Sequence, residues 1–192
     1  MDLFGPVAYL SIGGNKYGLV IVDDYSRFTW VFFLFDKCQV RDKVKTFVRR
    51  AQKKFGLPIK KMRSDNVTEF KNTQVEEFLD EEGIKHEFST PYTPQQNGVV
   101  ERKNRTLIDM ARTMLDEYKT PDLFWCKAIN TACHAINRLY LDKKLKKTSY
   151  ELLTGNKPKV SYFRVFGCKC FILNKKPKTS KFASKVDKGF SS

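Results

Sequence analysis

The stretch from Phe88 to Leu115, FSTPYTPQQNGVVERKNRTLIDMARTML, joins an open loop to an amphipathic helix with an acid in its first turns. Pro91 and Pro94 bias the residues before them away from helix, and Gln95, Gln96, Asn97 and Gly98 prolong the loop. Beyond it Val100, Leu107, Ala111 and Met114 share one stripe while Arg102, Arg105 and Arg112 share another, which predicts a helix with a buried side and a basic side. Glu101 falls where the helix macrodipole stabilises a carboxylate whether or not it does chemistry. Upstream, Met62 to Phe70 reads MRSDNVTEF and follows a short apolar run, so a second carboxylate, Asp65, sits just past a strand end. Open α/β sheets place their chemistry at such ends. Thirty-five residues lie between Asp65 and Glu101.

That spacing, with the wording around both acids, resembles the integrase of copia-type LTR retrotransposons. The resemblance runs in order through Asp2-Leu3-Phe4-Gly5-Pro6, Asp23-Asp24-Tyr25-Ser26-Arg27, Arg63-Ser64-Asp65-Asn66, the PQQNGVVER run from Pro94 to Arg102, and Phe166-Gly167-Cys168. It covers nearly the whole chain. It implies a ribonuclease H-like α/β fold, in which a mixed five-stranded sheet is flanked by helices on both faces. Three antiparallel strands come first and two more alternate with helices. It also implies a catalytic triad of Asp2, Asp65 and Glu101 binding two Mg2+ (or Mn2+) ions, with Asp2 and Asp65 sharing one ion and Asp2 and Glu101 holding the other.

The composition agrees with a polyanionic partner. A net charge of +15 in 192 residues points to nucleic acid first and an anionic membrane surface second. Most of that excess lies late, since Asp142 to Ser192 contains 14 Lys or Arg against 3 acids. This marks residues 1–141 as the catalytic core and 142–192 as a basic C-terminal extension, with few apolar residues and partial disorder expected from Lys175 onward. Five cysteines show no disulfide framework, which favours a reducing intracellular setting. Neither a signal peptide nor an apolar run long enough to span a membrane is visible. Two histidines cannot build the N-terminal His/His/Cys/Cys zinc module of complete integrases in the resembled family, so no zinc is expected in this fragment.

Along the chain, Tyr17–Val22 and Thr29–Phe35 read as two apolar strands, making a three-stranded meander with the segment around Asp2. Asp23 and Asp24 compete with Asp2 for the first catalytic place, but strand-end aspartates beside a turn commonly bond local backbone. Val40, Val44, Phe47, Val48, Ala51 and Phe55 repeat at helical spacing until Gly56 and Pro58. The outward Lys43, Arg49, Arg50, Lys53 and Lys54 are read first as a solvated face. Ile59–Arg63 and Ile84–Ser89 read as the last strands of the sheet, with a short helix around Val75, Phe78 and Leu79 between them. Thr120-Pro121 reads as an N-cap followed by Pro at the first helical position. The helix after it carries Trp125, Ala128, Ile129, Ala132, Ile136 and Leu139 on one side.

The chemistry implied by the resemblance is cleavage near the 3′ end of element DNA, then attack of the freed 3′ hydroxyl on target DNA. Arg105, one helical turn beyond Glu101, is the best-aimed phosphate ligand, ahead of Arg102 and Lys103. Tyr92, Gln95, Gln96 and Asn97 occupy the loop that in similar integrases touches the DNA end. Integration implies a homo-oligomer holding two DNA ends and, by the job alone, a nuclear site of action. Two departures qualify the resemblance. Met1 directly precedes Asp2, although the family's first aspartate lies inside its strand, which suggests a piece of a longer polyprotein, a misplaced start or a decayed copy. Val67 stands where the related wording has Gly, and a β-branched residue resists positive φ. Two other functions therefore stay open: a copy that only binds nucleic acid, and a ribonuclease H-like nuclease that cuts without joining.

Overall fold

The computed structural model describes residues 1–65, 69–71, 73–89, 97–173 and 186–190. β1 (Asp2–Phe4), β2 (Tyr17–Val22) and β3 (Thr29–Leu34) form an antiparallel sheet in the order β1-β2-β3. The register sets Asp2 opposite Val20 and Val22 opposite Thr29. α1 (Val40–Phe55) follows and stops at Gly56, whose φ of 65° permits the left-handed cap that a side chain would strain. β4 (Lys61–Ser64), α2 (Thr73–Glu81) and β5 (Lys85–Phe88) come next, with β4 and β5 paired in parallel. α3 (Gly98–Glu117) and α4 (Trp125–Leu139) pack on each other, and α5 (Ser149–Thr154) packs on α4. β6 (Lys169–Leu173) pairs antiparallel with β7 (Val186–Phe190).

Strand alternation creates two cores. On β2 and β3, Leu19, Ile21, Trp30, Phe32 and Leu34 face α1 and α2, while Val20, Val22, Val31 and Phe33 face α3 and α4. Helical spacing supplies the opposing walls, with Val40, Val44, Phe47 and Val48 on one side and Val100, Leu107, Ala111, Ala128, Ile129 and Ile136 on the other. Phe166 also joins the second core. Gly18 is required by close approach: it lies opposite Phe4, and a Cβ there would stand 2.2 Å from that ring. Phe4 in turn meets Trp125 edge-on, as does Phe33.

At the free side of β3 a buried amide replaces a neighbouring strand. Asn137 of α4 accepts a bond from the Thr29 amide at 2.9 Å and donates to the Thr29 carbonyl at 2.8 Å. The Cys133 thiol also donates to that carbonyl. Just beyond the other end of β3, the Phe35 amide donates to the Gln39 side chain at 2.9 Å.

Three expectations need correction. The single five-stranded sheet is divided among the described residues into a three-stranded and a two-stranded ladder. The Met1 amine bridges the seam, donating to the Arg63 carbonyl at 2.5 Å. The physical reason is that β1 spans three residues and begins at the level of Val20, so among the described residues no strand separates the rest of β2 from β4. Thr120 is not a helix cap: Pro121 has ψ 143°, a single 3-10 turn covers Asp122–Phe124, and α4 begins only at Trp125. Thr120 is instead buried, with a hydroxyl that finds no hydrogen-bond partner. Val186–Phe190 forms a strand within the lysine-rich stretch from Lys175 onward, where partial disorder is the expectation.

Candidate active site

Two acids meet where the two sheets approach each other. Asp2 leaves β1 on the α3 side, because neighbouring Leu3 faces the first core and side chains alternate. Asp65 lies directly after β4. Its carboxyl pKa is raised, first by burial and next by the charge of Asp2, and its Oδ1 is buried without a hydrogen-bond partner. Burial pushes the Met1 amine beside them down to about 6.

α3 reaches this pair through Asn104. Its Nδ2 donates to Asp2 Oδ2 at 2.6 Å, while its Oδ1 is buried without a partner. Asn104 sits on the same stripe as Val100, Leu107 and Ala111, and is buried with them. A polar residue in an apolar stripe is the sequence signal that marks it. Glu101 stands three residues earlier on the exposed first turn, anchored by its backbone N–H to the Asn97 carbonyl. It is thus one helical turn from the Asn104–Asp2 contact. Among the described residues, no three His, Cys, Asp or Glu side chains gather as a metal-binding group.

The remaining predicted site residues are distributed differently. Arg105 is exposed beside Asn104. Arg102 is also exposed, but its Nε donates back to the Gly98 carbonyl. Lys103 is half-buried and its ammonium pKa is lowered by burial, with Cys133 and Arg27 near enough to perturb it. Asn97 is only 5% exposed, and its Nδ2 finds no partner. Tyr92, Gln95, Gln96 and Val67 lie outside the described residues. Asp23 binds the amide and hydroxyl of Ser26, and Asp24 pairs with Arg27, so both serve the β2–β3 turn. His86 shares a hydrogen bond with Ser64 across the β4–β5 ladder and packs on Phe88.

A two-layered arrangement of helices about these strands, with carboxylates at the strand ends, defines the ribonuclease H-like class of integrase cores. Solved structures share it: the simian T-cell lymphotropic virus intasome in complex with a PP2A regulatory subunit aligns at TM-score 0.62 and 18% identity over 98% of this chain and 66% of that one. The HTLV-2 integrase catalytic core domain in complex with magnesium, in a trimeric form, aligns at TM-score 0.56 and 22% identity over 79% of this chain and 95% of that one. The integrase core domain family matches residues 1–94. A retrovirus-related Pol polyprotein from transposon TNT 1-94 of Nicotiana tabacum is 39% identical over 170 residues, covering 88% of this chain. The corresponding polyprotein from transposon RE2 of Arabidopsis thaliana is 34% identical over 162 residues, or 84% of this chain. A Ty1-LR3 Gag-Pol polyprotein of Saccharomyces cerevisiae is 30% identical over 150 residues, or 77%. The chain belongs to the integrase core family, in its copia-type retrotransposon branch. It spans 13%, 11% and 8% of those three polyproteins. No helix among the described residues is long and apolar enough to cross a membrane.

Proposed function

We propose that this chain is the catalytic core for 3′-end processing and strand transfer of element DNA, using Asp2, Asp65 and Glu101. The observation that carries this reading is the convergence of Asp2 and Asp65 from strands more than sixty residues apart in sequence, with a buried Asp65 oxygen that has no donor. A carboxylate whose ionisation is disfavoured by burial and by the charge of its neighbour, with an unsatisfied oxygen, fits a hard divalent cation. Asp2 and Asp65 would hold one such ion and Glu101, with Asp2, a second. Bound magnesium or manganese would supply positive charge to the attacking and leaving oxygens of a phosphodiester.

The protein's own contribution is placement. Asn104 holds one oxygen of Asp2, fixing that carboxylate's orientation from α3. Partial burial of Asp65, with its Oδ1 shut away from solvent, strengthens its interaction with any cation. Exposed Arg105, next to Asn104 on α3, is the residue we assign to a DNA phosphate, and Tyr92, Gln95 and Gln96, which precede that helix in sequence, are assigned to the DNA end. DNA ends and target DNA are the proposed partners, with a homo-oligomer as the working form and the nucleus as its place of action.

Glu101's position outside any described acidic cluster favours a second reading, in which the chain only binds nucleic acid. Strand-transfer assays on a duplex mimicking an element end, with magnesium or manganese, separate the two. Metal-dependent joining that disappears in Asp65→Asn and Glu101→Gln, with salt-sensitive DNA binding kept in both variants, is the expected result. A Glu101→Gln protein that still cuts and joins would remove Glu101 from the site. Cutting without joining in the parent would indicate a nuclease.

A further inference from the structure

On the face of β4 and β5 that lines the first core, one polar contact interrupts an apolar layer. Met62 and Phe88 pack into that core, and beside them the Ser64 hydroxyl and His86 Nε2 share a hydrogen bond at 2.9 Å. The register sets Met62 opposite His86 and Ser64 opposite Phe88, so the bond runs diagonally across the parallel ladder. Ser64 is wholly buried, and the His86 Nδ1 is buried with no hydrogen-bond partner among the described residues. Burial also holds the imidazole below its usual pKa, so the ring is neutral near pH 7. Whichever nitrogen then carries the proton, one ring atom stays unpaired. A buried ring with an unpaired nitrogen costs stability that an apolar side chain of similar size would not, so stability alone does not account for His86.

Ser64 directly precedes Asp65, whose Oδ1 has no hydrogen-bond partner and so gives the carboxylate no tether at that oxygen. The direction of Asp65 is set by the backbone that carries it. That backbone is held to β5 at two points around Ser64. The Ser64 carbonyl accepts the Ser89 amide at 2.9 Å, which fixes the peptide that includes the Asp65 nitrogen. The Ser64 hydroxyl is held by His86, which fixes the rotation of Ser64 about its own Cα.

We infer that His86 and Ser64 are positioning residues for Asp65: the imidazole locks the Ser64 side chain, and through it the peptide that leads into Asp65 and the direction in which that carboxylate meets Asp2. Its consequence for metal affinity rests on the proposed role of Asp65 as a metal ligand. Partners of this kind, one bond removed from a ligand, change metal affinity by about 10–100-fold when lost. Neither residue touches the metal or the DNA.

The test uses the full 192-residue chain. His86→Leu and Ser64→Ala break the bond, whereas His86→Gln keeps a polar group within reach of Ser64 and Ser64→Thr keeps the hydroxyl. The Asp65 χ1 rotamer is read by NMR from side-chain couplings in metal-free protein, and the dissociation constant for Mn2+ alone by calorimetry, with thermal melts to check folding. The expected result is a single Asp65 rotamer in the parent, His86→Gln and Ser64→Thr, and rotamer averaging in His86→Leu and Ser64→Ala, with Mn2+ bound about 10-fold more weakly by the latter two. His86→Leu should melt no lower than the parent, and the double variant with Ser64→Ala should bind Mn2+ no more weakly than either single one, since both break one link. A single rotamer retained in both bond-breaking variants overturns the inference, as does a His86→Gln protein that behaves like His86→Leu. Unchanged Mn2+ affinity in both bond-breaking variants, with affinity lowered in Asp65→Asn, overturns it too. Unchanged affinity in Asp65→Asn removes the metal from Asp65 instead, a failure of the proposed function, and the metal-free rotamers still decide whether His86 and Ser64 position that side chain.

Discussion

Asn104 offers the sharpest test of how the site is assembled. Its amide gives Asp2 a charge-assisted hydrogen bond at 2.6 Å in a buried setting, and such bonds contribute about 1.5–3 kcal/mol. Replacing it by Ala removes that bond and leaves a small void, although it also removes an unpartnered Oδ1. The loss should therefore fall near the middle of the range, about 2 kcal/mol. With a urea m-value of about 2 kcal/mol per molar, the unfolding midpoint of Asn104→Ala drops by about 1 M. Asn104→Asp replaces the donor by a second carboxylate against Asp2, so it should be less stable than the Ala variant at pH 7. Acidification through the carboxylate range should close that gap. Urea titrations at pH 7 and pH 4 read both effects. A midpoint shift below about 0.25 M for Asn104→Ala, or an Asp variant whose deficit ignores pH, would show that Asn104 and Asp2 do not form this bond in solution.

Asp65→Asn should abolish metal-dependent cleavage yet raise stability at neutral pH. The folded-state pKa of Asp65 is raised, so the parent loses stability as pH climbs from the ordinary aspartate value through the raised one, and the advantage of Asn vanishes in acid. Thermal melts across pH 3–8 check this sign. Gly18→Ala should cost about 1–3 kcal/mol by driving the Phe4 ring off its place beside Trp125, measurable in the same melts. The buried Cys133 thiol is pushed up to about 12, so iodoacetamide at pH 8 should leave it unmodified until the protein is denatured, as mapped by mass spectrometry.

Much of the scaffold was legible because periodicity and burial coincide. The stripe from Val40 to Phe55 became α1, the runs at Tyr17 and Thr29 became β2 and β3, and Asp65 emerged at a strand end as its preceding apolar residues implied. The sheet's division was not legible, since strand-forming patterns carry no statement about which neighbour fills each edge. The start of α4 was misplaced because Pro after Thr is compatible with both a cap and an extended turn, and packing of Trp125 against Phe4 and Phe33 decided for the latter. Asn104 was overlooked because its value lies in a contact 102 residues away in sequence. Burial of Asn97 and Lys103 likewise comes from tertiary packing that a loop or helix pattern does not encode.

The amide of Asn137 has a consequence for how the protein behaves in a crowd. β3 borders the three-stranded sheet, and an exposed border is a template on which another chain can add. Asn137 occupies both outward backbone groups of Thr29, while Gln39 occupies the outward amide of Phe35. Between these two stops, only Val31 and Phe33 direct their backbone groups outward, a run too short to seed a stable intermolecular ladder. The chain thus guards this one border against strand addition with two side chains borrowed from neighbouring helical segments.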